Sequence, residues 1–286
     1  MKSKGKKTAF TIIELLTVMS IIVILIGLLL PSLNMVKRYA KVVTQKNLLR
    51  NIDTGLQAFE IDFKEYPASG ATDAAGAQYC GAMKLAEAMA GQDGLGFNPN
   101  STFAADDGSG NTELYPPSQG APPWPSWYEE NLRNRREFLE GKDIQICSLD
   151  DLYASASGWS NTNEVALLCD VFRSAKNLTT GKRMGMPILY YKADPSKLAH
   201  DVNNPDYSGN IYNYKDNHEF LNLGLPWEPA TKPPLYQDDG RVFYEKTLDK
   251  SALPIERPHN KDSYILISAG WDGIYGTRDD VFNFAD

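Results

Sequence analysis

The feature that most limits what this chain can become is the run FTIIELLTVMSIIVILIGLLL at residues 10–30, almost wholly apolar and holding a single acid, Glu14. At about 1.5 Å per helical residue it spans roughly 31 Å, close to the hydrocarbon thickness of a bilayer. A membrane helix is therefore expected. Lys2, Lys4, Lys6 and Lys7 precede the run with no acid among them. By the positive-inside rule the start remains cytoplasmic and the bulk crosses, although Lys37, Arg38 and Lys41 beyond the run reduce the asymmetry. A cleaved secretory signal has an apolar core of only about 7–15 residues and a small-x-small site. This run is longer and continues into LLLPSL.

A plain anchor leaves Glu14 unexplained. A carboxylate within a bilayer costs on the order of 2.5–3.5 kcal/mol on insertion scales, so an intramembrane acid points to a role.

The basic leader, the small Ala9, and then Phe10, Thr11, two aliphatics, Glu14 and a Leu-Leu pair resemble the class III signal of type IV pilins and type II secretion pseudopilins. The resemblance implies that a prepilin peptidase cuts between Ala9 and Phe10 and that the new amino group is methylated. Glu14 then becomes the fifth residue of the mature chain, and Pro31 stands where many pilins also carry a proline. Ala9 departs from the usual glycine. The freed amine of Phe10 is the cationic partner that a buried Glu14 needs. In the family this pairing across subunits is thought to recruit each protomer and set its register, and a buried polar residue is a known register device.

Beyond the run, Val42, Leu49, Ile52, Leu56, Phe59, Phe63 and Tyr66 recur three or four apart, with Gln45 filling one seam position. This predicts an amphipathic continuation of the helix over residues 31–66, its apolar face against a folded domain. Gly55 inside it costs about 1 kcal/mol relative to Ala, which packing must outweigh. The helix is expected to stop at Tyr66-Pro67, because proline disfavours helical geometry in the residue before it. A Tyr-Pro at this place is also frequent in pseudopilins.

About 220 residues remain, enough for one ordinary domain. The formal charge is −7, and −11 once the four leader lysines are gone, which disfavours nucleic acid as a partner. Residues 82–90 read as a short helix closed by Gly91. Residues 91–127 read as loop, with Asp93, Asp106 and Asp107 as solvated turn residues rather than metal ligands, and with Trp124 and Trp127 in a proline-rich stretch over the surface. Residues 126–140 are expected to be helical, with a capping box from Ser126 to Glu129 and Arg133, Arg135, Arg136 and Glu137 on a solvated face. EVALLCDVF reads as strand or helix, and residues 242–248 are equally ambiguous. MPILYYKAD reads as a strand and residues 216–223 as a short capped helix.

Cys80, Cys147 and Cys169 follow no metal spacing; one pair can close in an oxidising compartment, and which pair is left open. His200, His218 and His259 are scattered, and GKRMGM lacks the spacing of a phosphate loop. No catalytic constellation emerges, so the expectation is not an enzyme.

The tail SYILISAGWDGIYGTRDDVFNF begins as a strand over residues 263–268 and continues into a glycine-rich loop. Asp272, Asp279 and Asp280 offer hard oxygens, and calcium takes six to eight of these in flexible geometry. Backbone carbonyls such as those of Ile267 or Ser268 are among the further donors to be sought. The tail, ending in Asn283-Phe284, is similar to the C-terminal calcium loop of major type II pseudopilins. A surface turn with ordinary acids is the alternative.

Only the first 67 and last 24 residues carry the resemblance, and an insertion at about 68–260 has no counterpart in it. The expected fold is α+β: a cleaved leader at 1–9, a membrane and filament-core helix at 10–30, its amphipathic continuation at 31–66, and a periplasmic head at 67–286. The head is expected to pack the helix on a small antiparallel sheet with a large loop-rich insertion and a calcium loop at 263–284. The implied function is a structural subunit of a secretion pseudopilus. Its partners would be like subunits, the peptidase, an inner-membrane assembly platform and membrane lipid. A type IV pilin, or an anchored calcium-dependent binding module, is the alternative.

Overall fold

A computed structural model describes residues 11–105, 114–115, 123–139, 145–153, 159, 166–177, 180–237, 240–252 and 254–284, with the backbone alone at 31–32. Ala9, Phe10, Asp106, Asp107 and the side chain of Pro31 lie outside the described residues. The protein is α+β, with a long N-terminal apolar helix and small antiparallel sheets. It divides into two compact units, Met1–Val43 and Thr44–Asp286.

Helix α1, Ile12–Phe63, begins in the first unit. Thr11 caps it: its hydroxyl oxygen accepts from the Glu14 amide at 3.2 Å, and the Glu14 carboxylate accepts from the Thr11 amide at 2.9 Å. This reciprocal pair is a capping box, satisfying donors that a helix start leaves open. Residues 12–30 are exposed throughout, and α1 is long and apolar enough to cross a membrane.

In the second unit the same helix buries Gln45, Leu48, Leu49, Ile52, Leu56 and Phe59, the face that its three-four spacing predicts. Gln45 belongs in that seam because its side-chain oxygen accepts from the Val171 amide at 3.0 Å. Gly55 is there for a different reason than tolerance: a Cβ would come 2.6 Å from the Phe138 carbonyl and 2.9 Å from the Met89 sulfur. α1 ends three residues before the expected Tyr66. Lys64 takes a left-handed φ of 67° and its ammonium closes on the Ile61 carbonyl at 2.6 Å, terminating the helix before Pro67 acts.

Helix α2, Gly81–Ala90, packs against the strands of the core and is buried on all sides rather than on one face. Two charged residues on it are made tolerable by satisfied bonds. Lys84 donates to the carbonyls of Gly70 and Thr72 at 2.7 and 2.8 Å, and Glu87 accepts from Tyr79, Gln92 and Ser101.

Helix α3, Ser126–Asn134, is shorter than the expected 126–140 and has no side-chain cap, Pro125 preceding it. Arg135 then turns extended and is buried, correcting its expected place on a solvated face. Its guanidinium meets both oxygens of Asp93 at 2.6 and 2.7 Å and the Leu114 carbonyl at 3.0 Å. Asp93 is thus an ion-pair partner rather than a solvated turn acid.

Among the described residues the antiparallel content is split among three sheets rather than gathered in one. Strands β1, Gln145–Ser148, and β2, Ala166–Cys169, pair with Cys147 opposite Leu167. The ambiguous EVALLCDVF is therefore strand at its centre. A disulfide joins Cys147 to Cys169, while Cys80 is free, and burial pushes its thiol up to about 11. The one-turn helix α4, Leu149–Leu152, follows β1. β3, Ala175–Lys176, and β4, Arg183–Met184, form a second small ladder. β5, Leu189–Lys192, and β6, Tyr264–Ser268, are the expected strands, and β7, Val281–Phe282, adds to the far edge of β6. Helices α5, His218–Leu221, and α6, Arg241–Thr247, complete the unit; α6 resolves the ambiguity at 242–248 as helix.

Buried tyrosines hold this loop-rich unit together, each placing a ring in the core and its hydroxyl on a loop carbonyl. Tyr190 donates to Pro67 at 2.7 Å, Tyr212 to Asn260 at 2.6 Å and Tyr244 to Tyr212 at 2.6 Å, while Tyr275 bonds the Pro187 carbonyl.

Candidate functional site

Two places gather the residues singled out above: the start of α1 and the loop joining β6 to β7. At the first, Glu14 is exposed among apolar neighbours, and its carboxylate bonds only locally among the described residues, to the amide and hydroxyl of Thr11 at 2.9 and 2.8 Å. No acid follows it on α1 until Asp53. A helix cap leaves a carboxylate its full negative charge, so in hydrocarbon Glu14 still requires a cation.

The loop between β6 and β7 is folded by its own acids. The Asp272 amide donates to Asp279 Oδ2 at 3.0 Å, and Asp272 Oδ1 accepts from the Ile274 amide at 2.8 Å. Asp279 Oδ1 takes the Thr277 hydroxyl at 2.7 Å, and Asp280 Oδ2 takes the Gly276 amide at 2.9 Å. Gly270 adopts φ 68°, and a Cβ there would overlap the Asp279 carbonyl, so the turn requires glycine. Asn283 closes the loop from β7: its side-chain oxygen accepts from the Leu266 amide at 3.0 Å and its amide group donates to Asp53 of α1 at 3.3 Å. Phe284 stacks on His259 with ring centroids 4.1 Å apart.

Electrostatics set these three carboxyls apart. Burial, and then the neighbouring Asp279, push Asp272 up. Burial acts on Asp279 too but is outweighed by hydrogen bonds from Thr277 and the Asp272 amide, which hold it low. Burial pushes Asp280 up to about 7, the Lys246 ammonium opposing it. Asp280 Oδ1 is buried without a hydrogen-bond partner among the described residues. Lys246, from α6, lies 3.8 Å from Asp280 Oδ2 and bonds the Thr277 carbonyl.

These residues fit a hard cation in donor chemistry. Of the three carboxylates only Asp280 faces the Lys246 ammonium, its sealed Oδ1 has no hydrogen-bond partner among the described residues, and glycine-rich backbone lies around them. The fit is not a finished cage: among the described residues no three His, Cys, Asp or Glu side chains converge as a metal cluster. Asp272 and Asp279 meet each other, whereas Asp280 faces Gly276 and Lys246. Ile267 and Ser268 belong to the central strand β6, paired with Leu189, Phe282 and Val281.

Sequence reasoning missed Lys246 and also Asp170, a buried acid after β2. Asp170 accepts from the Ser268 hydroxyl at 3.0 Å and from the amides of Phe172 and Met186, each at 3.1 Å. Lys246 carries no local signal, and Asp170 only its bond to the Phe172 amide two residues on, because their other partners lie on distant segments. His200 is buried with Nε2 on the Tyr244 carbonyl at 2.9 Å, and His218 stacks on Tyr236, so the histidines take separate structural places. Compared with protein-family models, curated proteins and solved structures, the chain matches none.

Proposed function

We propose that this protein is a structural subunit of a type II secretion pseudopilus, processed at Ala9-Phe10, held in the inner membrane and polymerised into a periplasmic filament. It acts by assembly rather than catalysis. One observation carries the reading: α1 bears Glu14, an isolated acid on an otherwise apolar span, and further along presents a face, from Gln45 to Phe59, that is buried within the second unit. Such a helix stores an unassembled subunit in lipid and keeps one charged key for docking. The key's partner is the Phe10 amine of a neighbouring subunit, since a carboxylate moved out of water is stabilised only by pairing. The resemblance of both chain ends to that family supports the same reading.

The β6–β7 loop extends it. Calcium bound by Asp272, Asp279 and Asp280 would supply the positive charge that these acids call for and would tie the end of β6 to β7.

N-terminal mass analysis of protein extracted from membranes is the test. The proposal expects a chain beginning at methylated Phe10, and a Glu14→Ala variant that is processed and inserted but does not enter filaments. An intact N-terminus, or filaments built normally from the variant, would overturn it.

A further inference from the structure

The second unit carries a cationic surface that has no part in the reading above. Thr44–Asp286 holds 22 basic and 35 acidic side chains, a net −13. Residues 171–186 nonetheless contain Arg173, Lys176, Lys182 and Arg183 and no acid, which leaves −17 on the rest of the unit. All four are exposed, and none forms an ion pair with a described residue. Basic side chains elsewhere in the unit commonly meet an acid: Lys192 reaches Glu65 at 3.1 Å and Lys215 reaches Asp206 at 2.7 Å.

The β3–β4 hairpin fixes where two of these charges stand. Its register sets Lys176 opposite Arg183 on the exposed face, while Ala175 and Met184 pair on the buried one. Directly opposed residues have Cβ atoms about 4.5–5.5 Å apart, and like charges there are destabilising. The hairpin holds them together all the same. Asn177 Oδ1 accepts from the Thr180 amide and hydroxyl at 2.5 and 2.8 Å, and the Asn177 amide donates to the Lys182 carbonyl at 2.7 Å. Gly181, at φ 67°, lies beneath the Lys176 stem, whose Cε is 3.4 Å from where a Cβ would stand. Asp151 reaches the hairpin, but its Oδ1 takes the Asn177 side-chain amide at 2.7 Å and its Oδ2 faces the Ser148 amide in the α4 cap. A preorganised element thus presents two opposed cations to solvent, and an anionic partner relieves their repulsion.

Charge complementarity says what that partner is. Within one copy no acid stands at ion-pair distance from the hairpin among the described residues, whereas a second copy offers a unit whose remaining surface is strongly acidic. A basic patch meeting a different, acidic patch makes a head-to-tail contact, and such contacts extend as filaments when they do not close into rings. Resting on the filament reading above, we infer that the β3–β4 hairpin, through Lys176 and Arg183 with Arg173 and Lys182 flanking them in the chain, docks on an acidic face of the second unit of a neighbouring copy.

The test co-expresses two full-length copies bearing different affinity tags and treats their membranes with a carbodiimide, which forms an amide between a lysine and a carboxylate in contact. The expected result is a species carrying both tags, joined from Lys176 or Lys182 to an acid of residues 44–286, and suppressed by about 0.5 M salt. Lys176→Glu/Arg183→Glu exchanges one like-charge pair for another, so its melting temperature should match the wild type while the joined species falls about tenfold, the size expected when two exposed ion pairs turn repulsive. Lys176→Gln/Arg183→Gln should show a smaller loss and serves if the reversal disturbs the hairpin. Lys176→Glu alone pairs with Arg183, so it should melt higher than the wild type and still associate less. Joined copies linked only at other lysines, with both double variants assembling normally, overturn the hairpin contact and leave the filament standing. No joined copies of any kind, with an intact N-terminus, remove the filament and the contact together. Unchanged joining with reduced binding of the double variants to phosphatidylglycerol vesicles overturns the contact in favour of a lipid surface.

Discussion

The Lys246 ammonium stands 3.8 Å from the Asp280 carboxylate, and the Asp280 side chain is sealed from solvent. One lysine from α6 thus faces a loop holding three acids, and the loop's stability depends on what else neutralises them. With chelator present, Lys246→Met should lower the melting temperature, because Asp280 loses its nearest cation. Saturating calcium should raise the wild-type melting temperature by on the order of 5–10 °C, the effect of a ligand at about a hundredfold its Kd on a unit of this size. It should also narrow the gap to the variant. No calcium shift in calorimetry would mean that lysine and hydrogen bonds close the loop unaided.

The same acid sets a pH dependence. Asp280 is raised from 3.8 to about 7 in the fold, chiefly by burial. Between these values the folded state keeps a proton that the unfolded chain has released. Its contribution to stability is therefore full below pH about 4 and is lost as pH rises through about 7, at no more than about 1.4 kcal/mol per unit. Asp216, raised to about 6 by burial, adds a contribution of the same sign. Denaturant titrations of the metal-free protein should fall in stability across this window, and Asp280→Asn should flatten the fall. Calcium, which binds the ionised form, should do likewise.

Gly55→Ala reverses the usual helix rule. Alanine is better than glycine in a helix by about 1 kcal/mol, yet its Cβ would lie 2.6 Å from the Phe138 carbonyl. The net change expected is a loss of about 1–3 kcal/mol, read by thermal or urea unfolding, as for other overpacked interiors. A neutral or stabilising result would show that the Phe138 segment yields readily.

The Cys147–Cys169 bridge spans 22 residues. The oxidised, denatured protein should show one reactive thiol, Cys80, and three after reduction. Cys147→Ser should destabilise by about 3 kcal/mol, the loop-closure contribution expected at that separation.

Asp93→Ala should cost about 3 kcal/mol or more, because it strands the Arg135 side chain, which is 1% exposed. Glu129→Ala, whose Arg133 partner is largely exposed, should change stability by less than about 0.5 kcal/mol. The two variants, compared by urea unfolding, separate a buried pair from a surface one.

Elements that a local period specifies were legible in advance. The apolar run and the Leu49–Ile52–Leu56–Phe59 stripe gave α1, and the bounded aliphatic-aromatic stretches gave β5 and β6. Misreadings lie where a distant partner decides. Arg135 looked like one of several surface charges until Asp93 and the Leu114 carbonyl surrounded it. β7 is two residues long and is a strand only because β6 offers a free edge.

By itself the sequence determined that a long helix begins near the N-terminus and is apolar for a bilayer's thickness, since helix period and hydrophobicity are properties of consecutive residues; the Thr11-Glu14 cap at its start came from the structure. It also placed three acids within one glycine-rich tail. Only the tertiary structure decided that Asp280 is sealed against Lys246, that Gly55 admits the Phe138 backbone, and that Cys147 finds Cys169. Burial and electrostatic pairing are properties of neighbours in space, and here those neighbours lie 22 to 83 residues apart in the chain.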